Sequence, residues 1–175
     1  MPTLKALNEK KNPYTGFLYV GLMIKDNEPY LIEYNVRMGD PECQVILPRL
    51  KTDLVKILNA AVTNKLNKIK IKWDKSKCMT TVLCAQGYPG KYHTKKKINL
   101  KRVKLNKKSF IFHAGTKIVG KHIVSNGGRV LSIVVLGNTF SKIRNKIFTI
   151  IKKINWKHGF FRRDIGWRVI GPKCE

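Results

Sequence analysis

Glu33, Asn35 and Arg37 stand two residues apart in the run Glu33-Tyr34-Asn35-Val36-Arg37. In an extended strand that spacing puts all three on one face and leaves Ile32, Tyr34 and Val36 on the other. Neighbours on one face lie about 6.6–7 Å apart along the backbone, close enough for a carboxylate and an amide oxygen to converge on one Mg²⁺ at about 2.1 Å. Arg37, next in the row, supplies a guanidinium for a phosphate or carboxylate. An exposed strand face that is polar only for solvation gives the same pattern. A second run, Arg162-Arg163-Asp164-Ile165-Gly166-Trp167-Arg168, sets three guanidinium groups around one carboxylate. That composition suits phosphate recognition, with a solvated cationic tail as the plainer reading. Phe112-His113-Ala114-Gly115-Thr116 offers a His and a hydroxyl beside a glycine, but a His closing a strand serves structure more often than chemistry.

Two elements must position the first run. Gly16–Ile24 and Tyr30–Asn35 are β-rich segments separated by the turn-like Lys25-Asp26-Asn27-Glu28, which predicts a hairpin. Gly39-Asp40-Pro41-Glu42 then reads as a helix start, with Asp40 as the cap, Pro41 at the first helical position and the helix ending before Pro48. Leu54, Ile57, Leu58, Ala61, Val62 and Leu66 recur at helical spacing and predict an amphipathic core helix over 53–66, capped by Thr52. The lysine-rich stretch 67–77 is the candidate linker.

Beyond it, strands are expected at 79–85, 110–114, 121–124 and 129–136. Gly87-Tyr88-Pro89-Gly90 and Asn126-Gly127-Gly128 read as turns, with the last two glycines as hairpin residues. Ile143, Ile147, Ile150, Ile151 and Ile154 follow Thr139 at helical spacing, so one helix over 141–154 should pack on those strands. The fold class expected is α+β.

The charge balance is extreme. Against 10 Asp and Glu stand 36 Lys and Arg, a formal net charge of +26, which normally points to a phosphate-rich partner such as nucleic acid. Lys outnumbers Arg by 28 to 8, however, and is spread along the chain as in a sequence whose exposed positions have drifted toward Lys and Asn. Its densest stretch, 91–108, is poor in the Arg and aromatic side chains that read or stack on bases. A specific nucleic-acid partner is therefore not expected, although incidental binding at low salt is. Cys43, Cys78, Cys84 and Cys174 form no Cys-x-x-Cys pair and read as free thiols. The dispersed histidines give no metal cluster. With no run of about 18 apolar residues and no signal-peptide core at the start, a cytoplasmic protein outside the membrane is expected.

Six blocks in order, 12–23, 33–42, 87–90, 112–116, 125–131 and 162–168, resemble the phosphoribosylamine-glycine ligase family. The resemblance implies that residues 1–72 are the end of an ATP-grasp catalytic domain and 73–175 the family's small β-rich C-terminal domain with a packed helix. It implies that Glu33 and Asn35 bind Mg²⁺ or Mn²⁺, and that Arg37 contacts a phosphate or reaction intermediate. By analogy with similar ATP-grasp enzymes, Arg162 and Arg163 hold a ribose phosphate.

In that family ATP phosphorylates the glycine carboxylate, and the amine of phosphoribosylamine attacks the resulting glycyl phosphate, giving glycinamide ribonucleotide in purine synthesis. The family's N-terminal substrate domain and the Gly-rich loop and Lys that cover ATP lie upstream of Met1 in the resemblance. The chain is accordingly expected to be a fragment or one half of a split enzyme, inactive without a separate N-terminal portion. A non-catalytic remnant and a basic RNA-binding module are the alternatives.

Overall fold

The computed structural model describes residues 2–171, so Cys174 lies outside the described residues. The architecture is α+β, and the chain divides into two compact units: residues up to Cys43 with Leu50–Asp74, and Gln44–Arg49 with the chain from Lys75 onward. No helix among the described residues is long and apolar enough to cross a membrane.

The first unit opens with a helix not foreseen from the sequence, α1 (Pro2–Glu9). The expected hairpin follows as β1 (Tyr19–Lys25) and β2 (Glu28–Asn35), paired antiparallel. Its two-residue loop places Asp26 at φ 51° and Asn27 at φ 63°. Asp and Asn are the non-glycine residues that best tolerate this region, and the positive φ at both positions matches the twist of the strands. The register slips between Gly21, opposite Glu33, and Leu22, opposite Leu31, so Ile32 is the extra residue of a β-bulge.

Three readings are corrected by this unit. The expected helix start at Asp40-Pro41 is instead a turn, and α2 spans Cys43–Ile46, the Cys43 amide donating to the Gly39 carbonyl at 2.9 Å. The next helix, α3 (Leu54–Val62), is capped by Asp53, whose carboxylate accepts from the Lys56 amide, rather than by Thr52. The Thr52 hydroxyl is engaged elsewhere, accepting from the Lys72 amide at 2.7 Å. Nor is α3 a core helix: Ala60 is its one buried residue, while Leu58 and Val62 are exposed. A hairpin and short helices offer too few layers to enclose an apolar face.

The second unit holds the core. A four-stranded sheet runs in the order β5 (Ser109–His113), β8 (Arg129–Gly137), β3 (Lys77–Ala85), β9 (Gly159–Phe160). A smaller sheet runs β4 (Lys97–Ile98), β7 (His122–Ser125), β6 (Thr116–Val119). The register sets Met79 opposite Val135, Thr81 opposite Ile133 and Leu83 opposite Leu131, so these six share one face. Helix α4 (Phe140–Lys153) lies against β3 and β8, burying Ile143, Ile147, Ile150 and Ile151 in the cluster those strands line. Thr139 caps it, accepting from the Lys142 amide.

The short pieces β4, β6, β9 and α5 (Trp167–Ile170) carry too few residues to show a period. The hairpin reading of Gly127-Gly128 is also corrected, because β7 and β8 on either side of it belong to different sheets.

Truncation of Ile147, fully buried at the centre of α4, should cost about 2–5 kcal/mol, measured by urea unfolding of Ile147→Ala. Cys78 is a free thiol whose pKa burial pushes up to about 11, against a smaller opposing effect of the Arg49 charge. It should therefore react slowly with iodoacetamide at pH 8 and at an ordinary thiol rate in denaturant. Because the folded state holds this proton more tightly, the associated stability is complete below the unfolded thiol pKa and declines as pH rises toward 11.

Candidate functional site

Glu33 and Asn35 are brought together as the alternation requires: the Asn35 amide nitrogen donates to Glu33 Oε1 at 2.9 Å. That bond orients Asn35 so that its own amide oxygen is left to accept or ligate. Space for the Glu33 side chain comes from Gly21 across the ladder, where an added Cβ would stand 3.1 Å from Glu33 Cγ. Tyr19 lies opposite Asn35 on β1, and its hydroxyl hydrogen-bonds with Glu42. The Glu42 carboxylate folds over Gly39, where a Cβ would meet Oε2 at 2.3 Å. Hydrogen bonding to Glu42, then its negative charge, and more weakly the charge of Glu33, hold the Tyr19 phenol above its usual pKa of 10.0.

Arg37 departs from the expected row. β2 ends at Asn35, so strand alternation does not extend to Arg37, whose Nη1 donates to the neighbouring Met38 carbonyl at 3.1 Å.

Among the described residues no group of three or more His, Cys, Asp and Glu side chains could hold a metal by itself. One carboxylate and one amide oxygen on an exposed strand end still fit Mg²⁺, which keeps several waters and is commonly shared between one or two carboxylates and substrate phosphates.

In the second unit, Arg162 and Asp164 form a two-pronged pair, Nε donating to Oδ1 at 3.1 Å and Nη2 to Oδ2. The pairing holds the Asp164 carboxyl below its usual pKa and the Arg162 guanidinium above its own. Arg163 is exposed. The segment is no loose tail: Phe161, Ile165 and Ile170 pack on the core, and a Cβ on Gly166 would come within 2.5 Å of the Met79 methyl.

The sequence marks Gly87-Tyr88-Pro89-Gly90 and Asn126-Gly127-Gly128 as turns and places Gly115 just past a strand, and the fold joins all three. The Gly115 amide donates to the Arg129 carbonyl at 2.9 Å, and the Asn126 amide to the Gly115 carbonyl at 2.8 Å. An added Cβ on Gly115 would lie 2.8 Å from Gly127 Cα, and one on Gly128 would lie 2.0 Å from the Tyr88 ring. His113 reaches back to Thr116, Nδ1 to Oγ1 at 3.0 Å. Only the repeated occurrence of glycine in three segments hinted at this convergence.

Residues 78–168 match the family model described as phosphoribosylglycinamide synthetase, C domain. The chain belongs to the phosphoribosylglycinamide synthetase family. Residues 1–43, which include the hairpin, match that family's ATP-grasp (A) domain. Among curated relatives, the phosphoribosylamine–glycine ligase of Mesorhizobium japonicum is 43% identical over 169 residues, covering 97% of this chain and 40% of its own. That of Vibrio vulnificus is 45% identical over 176 residues, covering 99% of this chain and 41% of its own. The crystal structure of phosphoribosylamine–glycine ligase from Thermotoga maritima superposes with a TM-score of 0.74 at 34% identity, over 93% of this chain and 40% of that one. The chain thus spans about 40% of the length of the relatives it matches and corresponds to a C-terminal part of the enzyme.

Glu42→Gln should lower the Tyr19 pKa toward 10.0, read by NMR titration of ¹³C-labelled tyrosine. An unchanged Tyr19 titration would show that the Glu42 contact does not persist in solution.

Proposed function

We propose that this chain supplies part of the machinery that ligates glycine to 5-phosphoribosylamine at the expense of ATP, giving glycinamide ribonucleotide. In this reading residues 1–72 belong to the ATP-grasp catalytic domain and 73–175 to the C domain. The observation that carries it is the Glu33–Asn35 pair, joined at 2.9 Å, inside the segment that matches the ATP-grasp model.

Glu33 and Asn35 would hold Mg²⁺ or Mn²⁺. A bound divalent cation supplies charge neutralisation and alignment of phosphate oxygens during phosphoryl transfer. The chain's own part is to present one anionic and one neutral oxygen donor from a single strand end, pre-oriented by their mutual hydrogen bond. Arg37, in the segment that follows β2, contacts the transferring phosphoryl group or the acyl phosphate formed from glycine. It exchanges its bond to the Met38 carbonyl for an anionic partner, a stronger acceptor.

Arg162 and Arg163 bind the ribose phosphate, with different preparation. Arg162 is paired along one edge with Asp164, which offsets its charge, so Arg163 supplies the larger share of the attraction. This division follows from the pairing geometry, since a guanidinium already satisfied along one edge has its remaining N–H groups to offer.

The test is Mg²⁺-dependent ADP formation with glycine and freshly generated phosphoribosylamine. It is run with this chain alone and with this chain mixed with a separately made N-terminal portion of a related ligase. Activity is expected in the mixture and should fall by about 10²-fold or more in Glu33→Ala and Asn35→Ala, the usual scale for removing transition-state charge stabilisation. Wild-type activity in those variants overturns the metal assignment, and silence of the folded mixture overturns the ligase reading for this chain.

A further inference from the structure

A cleft of about 560 Å³ opens in the second unit at the edge of the small sheet. Its frame is well tied. Lys97 and Ile98 of β4 pair with Val124 and Ile123 of β7, and the far wall is closed by Asn99 and Asn155, whose amides donate to each other's carbonyls at 3.1 and 3.0 Å. Lys97, Lys101, Lys121 and Lys157 stand on the lining, and no Asp or Glu does. Ile98, buried, and the half-buried Leu100 and Ile123 give it an apolar floor.

The lysines have almost nothing of their own unit to pair with. Among its described residues Asp164 is the only carboxylate side chain, and Asp164 is already held by Arg162. Four lysines on the lining of one concavity with no carboxylate among them leave it positively charged, and an anion that enters is attracted.

The volume lies within the range of about 300–1,000 Å³ common for small-molecule sites, and an apolar floor beneath a cationic rim suits a ligand with a flat ring and more than one phosphate. We infer that this cleft binds a nucleoside di- or triphosphate, the ring lying on Ile98, Leu100 and Ile123 and the phosphates meeting Lys97, Lys101, Lys121 and Lys157. The inference is independent of the ligase reading and of the Glu33–Asn35 pair, because lysine ammonium groups can hold phosphates without a metal.

The experiment is calorimetric titration of this chain with ADP and with inorganic pyrophosphate, in EDTA at about 0.15 M salt, where loosely placed surface charges are screened within about 8 Å. One-to-one ADP binding tighter than pyrophosphate binding is expected, with NMR shifts of the Ile98 and Ile123 methyls. Lys97→Glu with Lys121→Glu should weaken ADP by about tenfold or more, the scale of losing a charge-assisted contact. Lys10→Glu with Lys25→Glu, on exposed positions that do not line the cleft, makes the same change in net charge and should leave ADP affinity within about twofold, since charges out of contact with the ligand act on it only through screened attraction.

Equal loss in the two double variants overturns the proposal in favour of bulk charge attraction, as does displacement of ADP by single-stranded RNA that is equally weakened in both. Pyrophosphate binding as tight as ADP, or unmoved isoleucine methyls in the wild-type protein, overturns the nucleoside assignment. Retained ADP binding in Glu33→Ala supports the cleft, and its loss places the nucleotide elsewhere. The methyl readout uses unaltered protein, so misfolding of a variant does not shelter the proposal.

Discussion

The packing of α4 on the β3–β8 pair is the contact on which the second unit depends. β8 is buried along Val130–Leu136, and such a strand cannot expose either face to water without losing the largest favourable contribution in the molecule. The isoleucines of α4 cover one face. With that layer fixed, β5 and β9 take their places at the sheet's edges, and Met79 meets Gly166 of the terminal segment. The position of Arg162 is therefore a consequence of core packing some distance along the chain. A polar tail with the same sequence and no Phe161, Ile165 or Ile170 to anchor it would leave its guanidinium groups unplaced.

The first unit is built on a different principle. Ala60 is its one buried described residue, so burial contributes little to holding Glu33 beside Asn35. Local geometry does it instead: a two-residue loop that sets the register, a bulge at Ile32 that adds twist, a glycine opposite Glu33, and a hydrogen bond between the two side chains. Tyr19 and Glu42 tie the following loop to the same end of the hairpin. Sites fixed by such short-range devices are sensitive to single backbone changes and tolerant of changes elsewhere.

Charge is distributed with similar asymmetry. In the second unit, nearly every side-chain carboxylate that could neutralise a lysine is missing from the sequence, and the one that remains among the described residues is taken by Arg162. On convex surface, water and counter-ions absorb this imbalance. In a concavity they do so less well, which is why the lysines around β4 and β7 carry more meaning than the net charge of the whole chain.

The sequence by itself determined what depends on local period and on short-range sterics. Alternation paired Glu33 with Asn35, Asp26-Asn27 marked the loop, and five isoleucines at helical spacing with Thr139 before them located α4. The ordered blocks also identified the family. Local pattern failed where a longer contact intervened. Thr52 reads as a cap until the 72 segment claims its hydroxyl, and Arg37 reads as the third member of a row until the strand ends. Gly127-Gly128 reads as a hairpin loop until its neighbours join different sheets. Tertiary structure alone decided that three glycine-bearing segments meet and that lysines from three separate stretches of chain share a cleft. Those outcomes rest on contacts between residues separated by tens of positions, set by which apolar faces bury one another, and no period within a single segment encodes them.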